Sequence, residues 1–272
     1  MHSQTGANLI TGNQDLMQDL IVSLVQTPLH WEDPIANRAM LEEKISSLYT
    51  DIIILPEMFT TSFTNNPAAF AEPMNLNTFK WMKQLASQTG ACITGSYIIR
   101  EGEKFHNRLL WMQPNGEVFF YDKRHSFRIS DEHKDYTSGN KRLIVSYKGW
   151  KIAPFICYDL RFPVWSRNTN NAYDLALYVA NWPAVRSHAW KSLLPARAIE
   201  NIAYVAGVNR IGKDGMGMDY SGDSVIHDFK GNPMYDLKNR EEIATVSLSK
   251  SALEEFRRIF PAFLDADGFE LK

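Results

Sequence analysis

Short runs rich in Val, Ile, Leu and aromatic residues alternate along this chain with longer amphipathic stretches, and that alternation restricts the fold more than any other feature. Strands and helices interleaved in this way bury their apolar faces by laying helices over a sheet, which is the α/β arrangement. Ten runs read as strands: residues 20–26, 51–55, 91–99, 108–112, 118–122, 151–156, 175–180, 204–208, 224–227 and 244–247. Helical periodicity occupies 34–49, 77–89, 163–170, 189–201 and 250–256, several with Asn or Ser near their starts. The runs 108–112 and 118–122, joined through Gln113-Pro114-Asn115-Gly116, read as a hairpin, so mixed strand pairing is expected. Two mixed sheets stacked on each other with helices outside form a four-layer α-β-β-α sandwich. Periodicity suggests the layers and does not by itself establish the stacking.

With 272 residues, 44% of them hydrophobic, the chain falls within the range that one large domain reaches without splitting. Residues 1–19 are polar and aperiodic and read as a tail of the kind an expression vector contributes, leaving 20–272 as the domain. Basic and acidic side chains nearly balance, 29 against 31, so no polycationic face for nucleic acid is expected and the partner is a small molecule. The two cysteines, Cys92 and Cys157, stand in no metal-ligand spacing, so neither a zinc site nor a disulfide framework is expected. No run approaches the roughly 18 apolar residues of a membrane span, and the start lacks a signal-peptide pattern. A cytoplasmic, reducing location is the expectation.

Three runs carry chemistry to strand ends. DIIILPEMF sets four apolar residues before a proline and a carboxylate, which places Glu57 just past the C-terminal end of a buried strand, the edge where open α/β sheets bind ligands. VFFYDKRHSF repeats the arrangement and delivers Lys123. KIAPFICYDLRFP delivers Cys157 at a strand-to-helix turn, where a thiol is displayed beside free backbone N–H groups and a positive helix terminus that lowers its pKa. Each residue alone has an ordinary reading: a solvated acid, a charged loop, a buried small hydrophobe. Cys92, inside GACITGSY without charged neighbours, keeps that ordinary reading. The convergence of the other three is harder to dismiss, because amide hydrolysis needs a thiol nucleophile, a carboxylate to move protons and a fixed cation for developing negative charge.

In LPEMF, YDKRHSF and FICYDLRFP the chain resembles the nitrilase superfamily of carbon–nitrogen hydrolases, with its Glu-Lys-Cys triad in family order and a match spanning roughly residues 20–248. The resemblance implies the four-layer sandwich, a homodimer joined through the face carrying the helix after the nucleophile, and chemistry without a metal or organic cofactor. It also implies a second glutamate between the lysine and cysteine motifs; SDEHKDYTSG offers Glu132, with Asp131 as its competitor. CYDLRFP, Asn181-Trp182-Pro183 and ARAIEN look most like the omega-amidase branch, which removes the terminal amide of 2-oxoglutaramate or 2-oxosuccinamate.

On that reading Glu57 moves protons, Cys157 attacks, and the Lys123 ammonium with the Tyr158 backbone N–H holds the oxyanion. Arg186 is the candidate to grip the substrate carboxylate, and Phe59 and Trp182 are candidates for apolar walls. An N-carbamoyl or deaminated-glutathione hydrolase, and a non-catalytic binding module on the same fold, stay open. A Cys-His hydrolase would need an imidazole such as His125, yet no histidine stands in a protease signature.

Overall fold

The computed structural model describes residues 18–270. All but the last two residues of the expected 1–19 tail lie outside them. Strands run in chain order as β1 (Leu20–Gln26), β2 (Ile52–Ile54), β3 (Cys92–Glu101), β4 (Lys104–Met112), β5 (Val118–Asp122), β6 (Val145–Tyr147), β7 (Trp150–Ile156), β8 (Leu175–Ala180), β9 (Tyr204–Asn209), β10 (Ile211–Lys213), β11 (Asp219–Ser221), β12 (Val225–His227), β13 (Pro233–Asp236) and β14 (Glu242–Leu248). They assemble, among the described residues, into two six-stranded sheets, ordered β14-β1-β2-β3-β4-β5 and β13-β12-β9-β8-β7-β6, plus the β10-β11 ribbon. Both large sheets are mixed: β1, β2 and β3 pair in parallel, as do β7, β8 and β9, and antiparallel strands flank them.

The layers follow from the side-chain alternation. Ile53, Ile93 and Leu110 of the first sheet pack outward on Leu41, Ile45, Phe79 and Met82 of the helices Pro34–Ile45 and Asn77–Thr89. Ile52, Ile54, Leu109 and Trp111 face the other way and share one continuous core with Phe155, Leu177 and Ala206 of the second sheet. That core continues to Trp190, Leu194 and Ala198 of the helix Ser187–Asn201, which supplies the fourth layer. The α-β-β-α sandwich is therefore the observed fold. No helix among the described residues is long and apolar enough to cross a membrane.

Two helices are shorter than their periodicity suggests. Asp33 caps the first and Pro34 opens it, but it ends at Ile45, where the Ser46-Ser47 pair lets Leu48 N–H turn back to the Ile45 carbonyl at 3.1 Å. The run expected to be helical over 163–170 makes only one turn, Pro163–Ser166. Asn168 ends it by exchanging hydrogen bonds with the Tyr173 backbone at 2.9 and 3.0 Å, offering the chain an alternative to helical pairing. The strands β6, β10, β11 and β13 were not legible in the sequence; three are only three residues long, and of the four only β6, through Val145 and Tyr147, contributes to the main core.

The turn after β2 lies directly on β3, and glycine allows the contact. Leu55 N–H donates to the Thr94 carbonyl (2.8 Å), Met58 N–H to Ser96 Oγ (2.9 Å) and Phe59 N–H to the Ser96 carbonyl (3.0 Å). A Cβ on Gly95 would stand 2.8 Å from Leu55 Cβ, an atom fixed to the backbone that carries Glu57. Gly95→Ala should therefore cost about 1–3 kcal/mol of stability as overpacking. Urea denaturation measures this, and a midpoint equal to the wild type would show that the turn yields freely.

Candidate active site

Parallel strands direct their C-terminal ends to one edge, and there the four acid, amine and thiol groups converge. Glu57 follows β2 and Pro56, and its carboxylate is wholly buried. Its Oε1 accepts from Lys123 Nζ and from Asn107 Nδ2, each at 2.8 Å, and its Oε2 accepts from the Asn181 backbone N–H at 2.8 Å. Lys123, just past β5, also donates to both oxygens of Glu132, at 3.0 and 3.1 Å. Glu132 opens the one-turn helix Glu132–Asp135, is fully buried, and accepts the Phe127 N–H at 2.5 Å. The competitor Asp131 turns to the surface and pairs with Lys134 instead.

Cys157 sits where β7 breaks into a 3-10 turn, Cys157–Arg161, with a left-handed φ of 45°. For a side-chain-bearing residue this costs about 1–2 kcal/mol, and such conformations persist where surrounding structure enforces them. Asp159 is the enforcer. It is wholly buried, accepts the Ile156 N–H (3.1 Å) and the Tyr121 hydroxyl (2.7 Å), and takes both His125 N–H (3.0 Å) and His125 Nδ1 (2.7 Å). His125 is thereby committed to Asp159 and stacked on Phe162 at 3.8 Å, so the polar groups facing the thiol are Glu57, Lys123 and Glu132. Tyr158 is the second residue of the turn, where a backbone N–H has no acceptor within its own helix.

Electrostatics follow from burial. Exclusion of water pushes the Lys123 ammonium down, but the fields of Glu132, Glu57 and Cys157 outweigh it and hold its pKa well above the ordinary lysine value. Burial raises the Glu132 carboxyl, with Lys123 opposing and Glu57 adding to the rise. The Cys157 thiol is pushed well up, first by burial and then by the Glu57 charge against which Lys123 only partly competes. This overturns the expectation of a thiol acidified by a helix terminus: a single 3-10 turn carries little dipole, while a carboxylate stands beside the sulfur. The resting sulfur is therefore held as the thiol.

The thiol opens into a cavity of about 510 Å³ whose wall includes Phe63, Phe127, Tyr158, Trp182, Arg161 and Arg186. Trp182 is nearly buried, and its indole N–H donates to the Arg186 carbonyl at 2.9 Å. The two guanidinium groups are held against aromatic rings, Arg161 over Trp182 (5.0 Å) and Arg186 over Phe127 (5.2 Å). Phe59 is not part of this wall. It packs on Trp81 and Tyr97 in the outer core, because the 58–62 turn reverses the chain and presents Phe63 to the cavity instead. Among residues the sequence did not single out, Asn181 follows a strand end inside a quoted motif and could have been found, whereas Asn107 lies mid-strand and gave no signal. Among the described residues no group of three or more His, Cys, Asp or Glu side chains is gathered to hold a metal ion.

Fold and site define a class: the chain belongs to the carbon–nitrogen hydrolase family, whose sequence model, "Carbon-nitrogen hydrolase", matches residues 21–258, and it is a hydrolytic enzyme. It is 48% identical to omega-amidase YafV of Escherichia coli (strain K12) over 257 residues, covering 94% of this chain and 100% of that one. Over 250 residues it is 30% identical to 2-oxoglutaramate amidase of Bacillus subtilis (strain 168), covering 90% and 96%. The crystal structure of XC1258 from Xanthomonas campestris, a CN-hydrolase superfamily protein with an arsenic adduct in its active site, superposes with a TM-score of 0.92 at 46% identity over 94% and 100% of the two chains. The nitrilase-superfamily resemblance read from three motifs thus holds along the chain.

A raised thiol pKa has a spectroscopic consequence. At about pH 8, where an ordinary cysteine of pKa roughly 8.5 is already partly ionised, Cys157 should be protonated. The difference ultraviolet spectrum between wild type and Cys157→Ala should then lack a thiolate band, and a full band at neutral pH would contradict the assignment.

Proposed function

We propose that the enzyme hydrolyses the terminal amide of a small 2-oxo acid amide, 2-oxoglutaramate or 2-oxosuccinamate, to the acid and ammonia through a thioester on Cys157. The observation that carries this reading is a buried Glu57–Lys123–Glu132 cluster beneath a cavity into which Cys157 opens, with arginines on the cavity wall. The names of the E. coli and B. subtilis relatives support the choice of substrate class.

Glu57 takes the thiol proton as Sγ bonds to the amide carbon. The new negative charge on the former carbonyl oxygen is met by Lys123 Nζ and the Tyr158 N–H, two donors fixed before the reaction and costing no reorganisation. Glu57 then hands its proton to the nitrogen as the C–N bond breaks, and ammonia leaves. For the second half Glu57 accepts a proton from water, whose oxygen attacks the thioester carbon. Collapse breaks the C–S bond, and the sulfur recovers the proton. Glu132 keeps Lys123 charged and aimed. The 2-oxo acid carboxylate pairs with Arg186, aided by Arg161; both guanidinium groups rest on aromatic faces that limit their freedom before substrate arrives.

Three measurements test this. Cys157→Ala should fold normally and release no ammonia from any amide, and substantial turnover by that variant would reject the nucleophile. In a panel of 2-oxo acid amides, N-carbamoyl compounds and deaminated glutathione, the first class should give the highest kcat/KM. A charged hydrogen bond contributes about 1.5–3 kcal/mol, so Arg186→Ala should raise KM for 2-oxoglutaramate roughly tenfold or more with a smaller change in kcat. An unchanged KM would remove Arg186 from the carboxylate site.

A further inference from the structure

A second buried cation lies close by, and the chemistry above does not use it. Arg210, just past β9, is completely buried, and no carboxylate among the described residues stands within ion-pairing distance of it. Such a charge is expensive to keep out of water. Its donors go in two directions. Towards the proton-transfer group, Nη1 donates to Ser62 Oγ; because that oxygen is thereby an acceptor, its own proton is directed to Asn181 Oδ1 at 3.4 Å. This fixes the Asn181 amide the right way round, with Nδ2 on the Glu57 carbonyl (2.5 Å) and the backbone N–H on Glu57 Oε2 (2.8 Å).

In the other direction Nε and Nη2 donate to the carbonyls of Ile211 (3.2 Å) and Lys213 (3.1 Å), and the guanidinium stacks on Tyr220 at 4.7 Å. These residues belong to the β10-β11 ribbon, which with its connecting turn contributes Asp214, Met216, Met218 and Tyr220 to the cavity that the thiol also lines. The ribbon is seated at Gly215, where a Cβ would come within 2.4 Å of the Trp31 ring, and at the Pro28–Ile211 bridge. One guanidinium therefore joins the wall of the cavity to the carboxylate beneath it.

We propose that Arg210 is a positioning residue that ties the β10-β11 ribbon to Glu57 through Ser62 and Asn181, so that the proton acceptor is aligned when that wall is in place. The proposal rests on Glu57 being the proton-transfer group. The charged and titratable groups facing Glu57 are Lys123, Glu132 and Cys157, with the hydroxyls of Tyr136 and Tyr220 further off; those facing Arg210 are Tyr220 and Asp214. Weakening the relay frees the Asn181 side chain from the Glu57 carbonyl and with it the alignment of the Asn181 N–H on Glu57 Oε2, so the acid limb of activity moves to higher pH.

Three variants separate the arms. Ser62→Ala cuts only the relay, and it should lower kcat about tenfold with KM little changed and move the acid limb of kcat/KM up by about half a pH unit. Arg210→Met should move the limb equally and also raise KM, because the ribbon loses its anchor. Arg210→Lys should recover part of the shift. The same limb is read without any amide by following iodoacetate alkylation of Cys157 against pH by mass spectrometry. If wild type turns over no 2-oxo acid amide yet Ser62→Ala shifts the alkylation limb, the substrate reading fails and the relay stands. A limb unmoved in both Ser62→Ala and Arg210→Met, with only the melting temperature lowered, overturns the relay and leaves Arg210 a structural cation.

Discussion

A lysine ammonium held between two carboxylates, out of contact with water, is the interaction on which this molecule depends. Lys123 meets Glu57 and Glu132 at 2.8 and 3.0 Å with all three side chains buried or nearly so. Taking such groups from water costs several kcal/mol each, and only mutual contact plus further donors offset it. Those donors are present: the amides of Asn107 and Asn181 on Glu57, and the Phe127 N–H on Glu132. Burial first, and then the Glu57 charge that Lys123 only partly offsets, push the pKa of the neighbouring thiol up. A thiolate there would add a third negative charge to the same enclosed space.

The fold exists to bring those groups together. Glu57 and Lys123 belong to one sheet and Cys157 to the other, so their meeting is a consequence of two sheets packing face to face with their loaded edges aligned. Each contributing turn is held by something other than regular pairing. Gly95 admits the Glu57 turn against β3, Asp159 locks the Cys157 turn from below, and Asn181 bridges the sheets by bonding Glu57 from the end of β8. The strained φ at Met58, Ser62 and Cys157 lies in those same turns, where the surrounding hydrogen bonds over-determine the backbone.

The cavity wall combines aromatic and methionine side chains with two arginines and with polar groups such as Glu32, Asn65 and Asp214, above a floor of Lys123 and Cys157. On the proposed reading, that lining suits a small amide carrying a carboxylate: aromatic faces cover its apolar part while guanidinium groups orient the anion. The wall furthest from the floor comes from the short β10-β11 ribbon rather than from either main sheet. Substrate size and charge are therefore decided by turns and a ribbon laid over a rigid sandwich.

Much of this was legible in the residues. The parallel strands before Glu57 and Cys157 announce themselves as continuous apolar runs because they are buried on both faces, and Lys123 stands after a third, half-exposed aromatic run, so all three could be named from the sequence. Glu132 was distinguishable from Asp131 only by resemblance, and Phe59 was misplaced because the reversal of the chain in a tight turn sends its ring into the core and that of Phe63, four residues on, into the cavity. The short ribbon, the Asp159 lock, the Asn107 donor and the path from Arg210 left no local pattern. Hydrophobic periodicity records burial along one element, and from it the sequence alone determined which strands form and what they carry at their ends. Charge state, side-chain direction and the link between cavity wall and floor depend on atoms more than fifty residues apart meeting in space, and only the tertiary structure decided them.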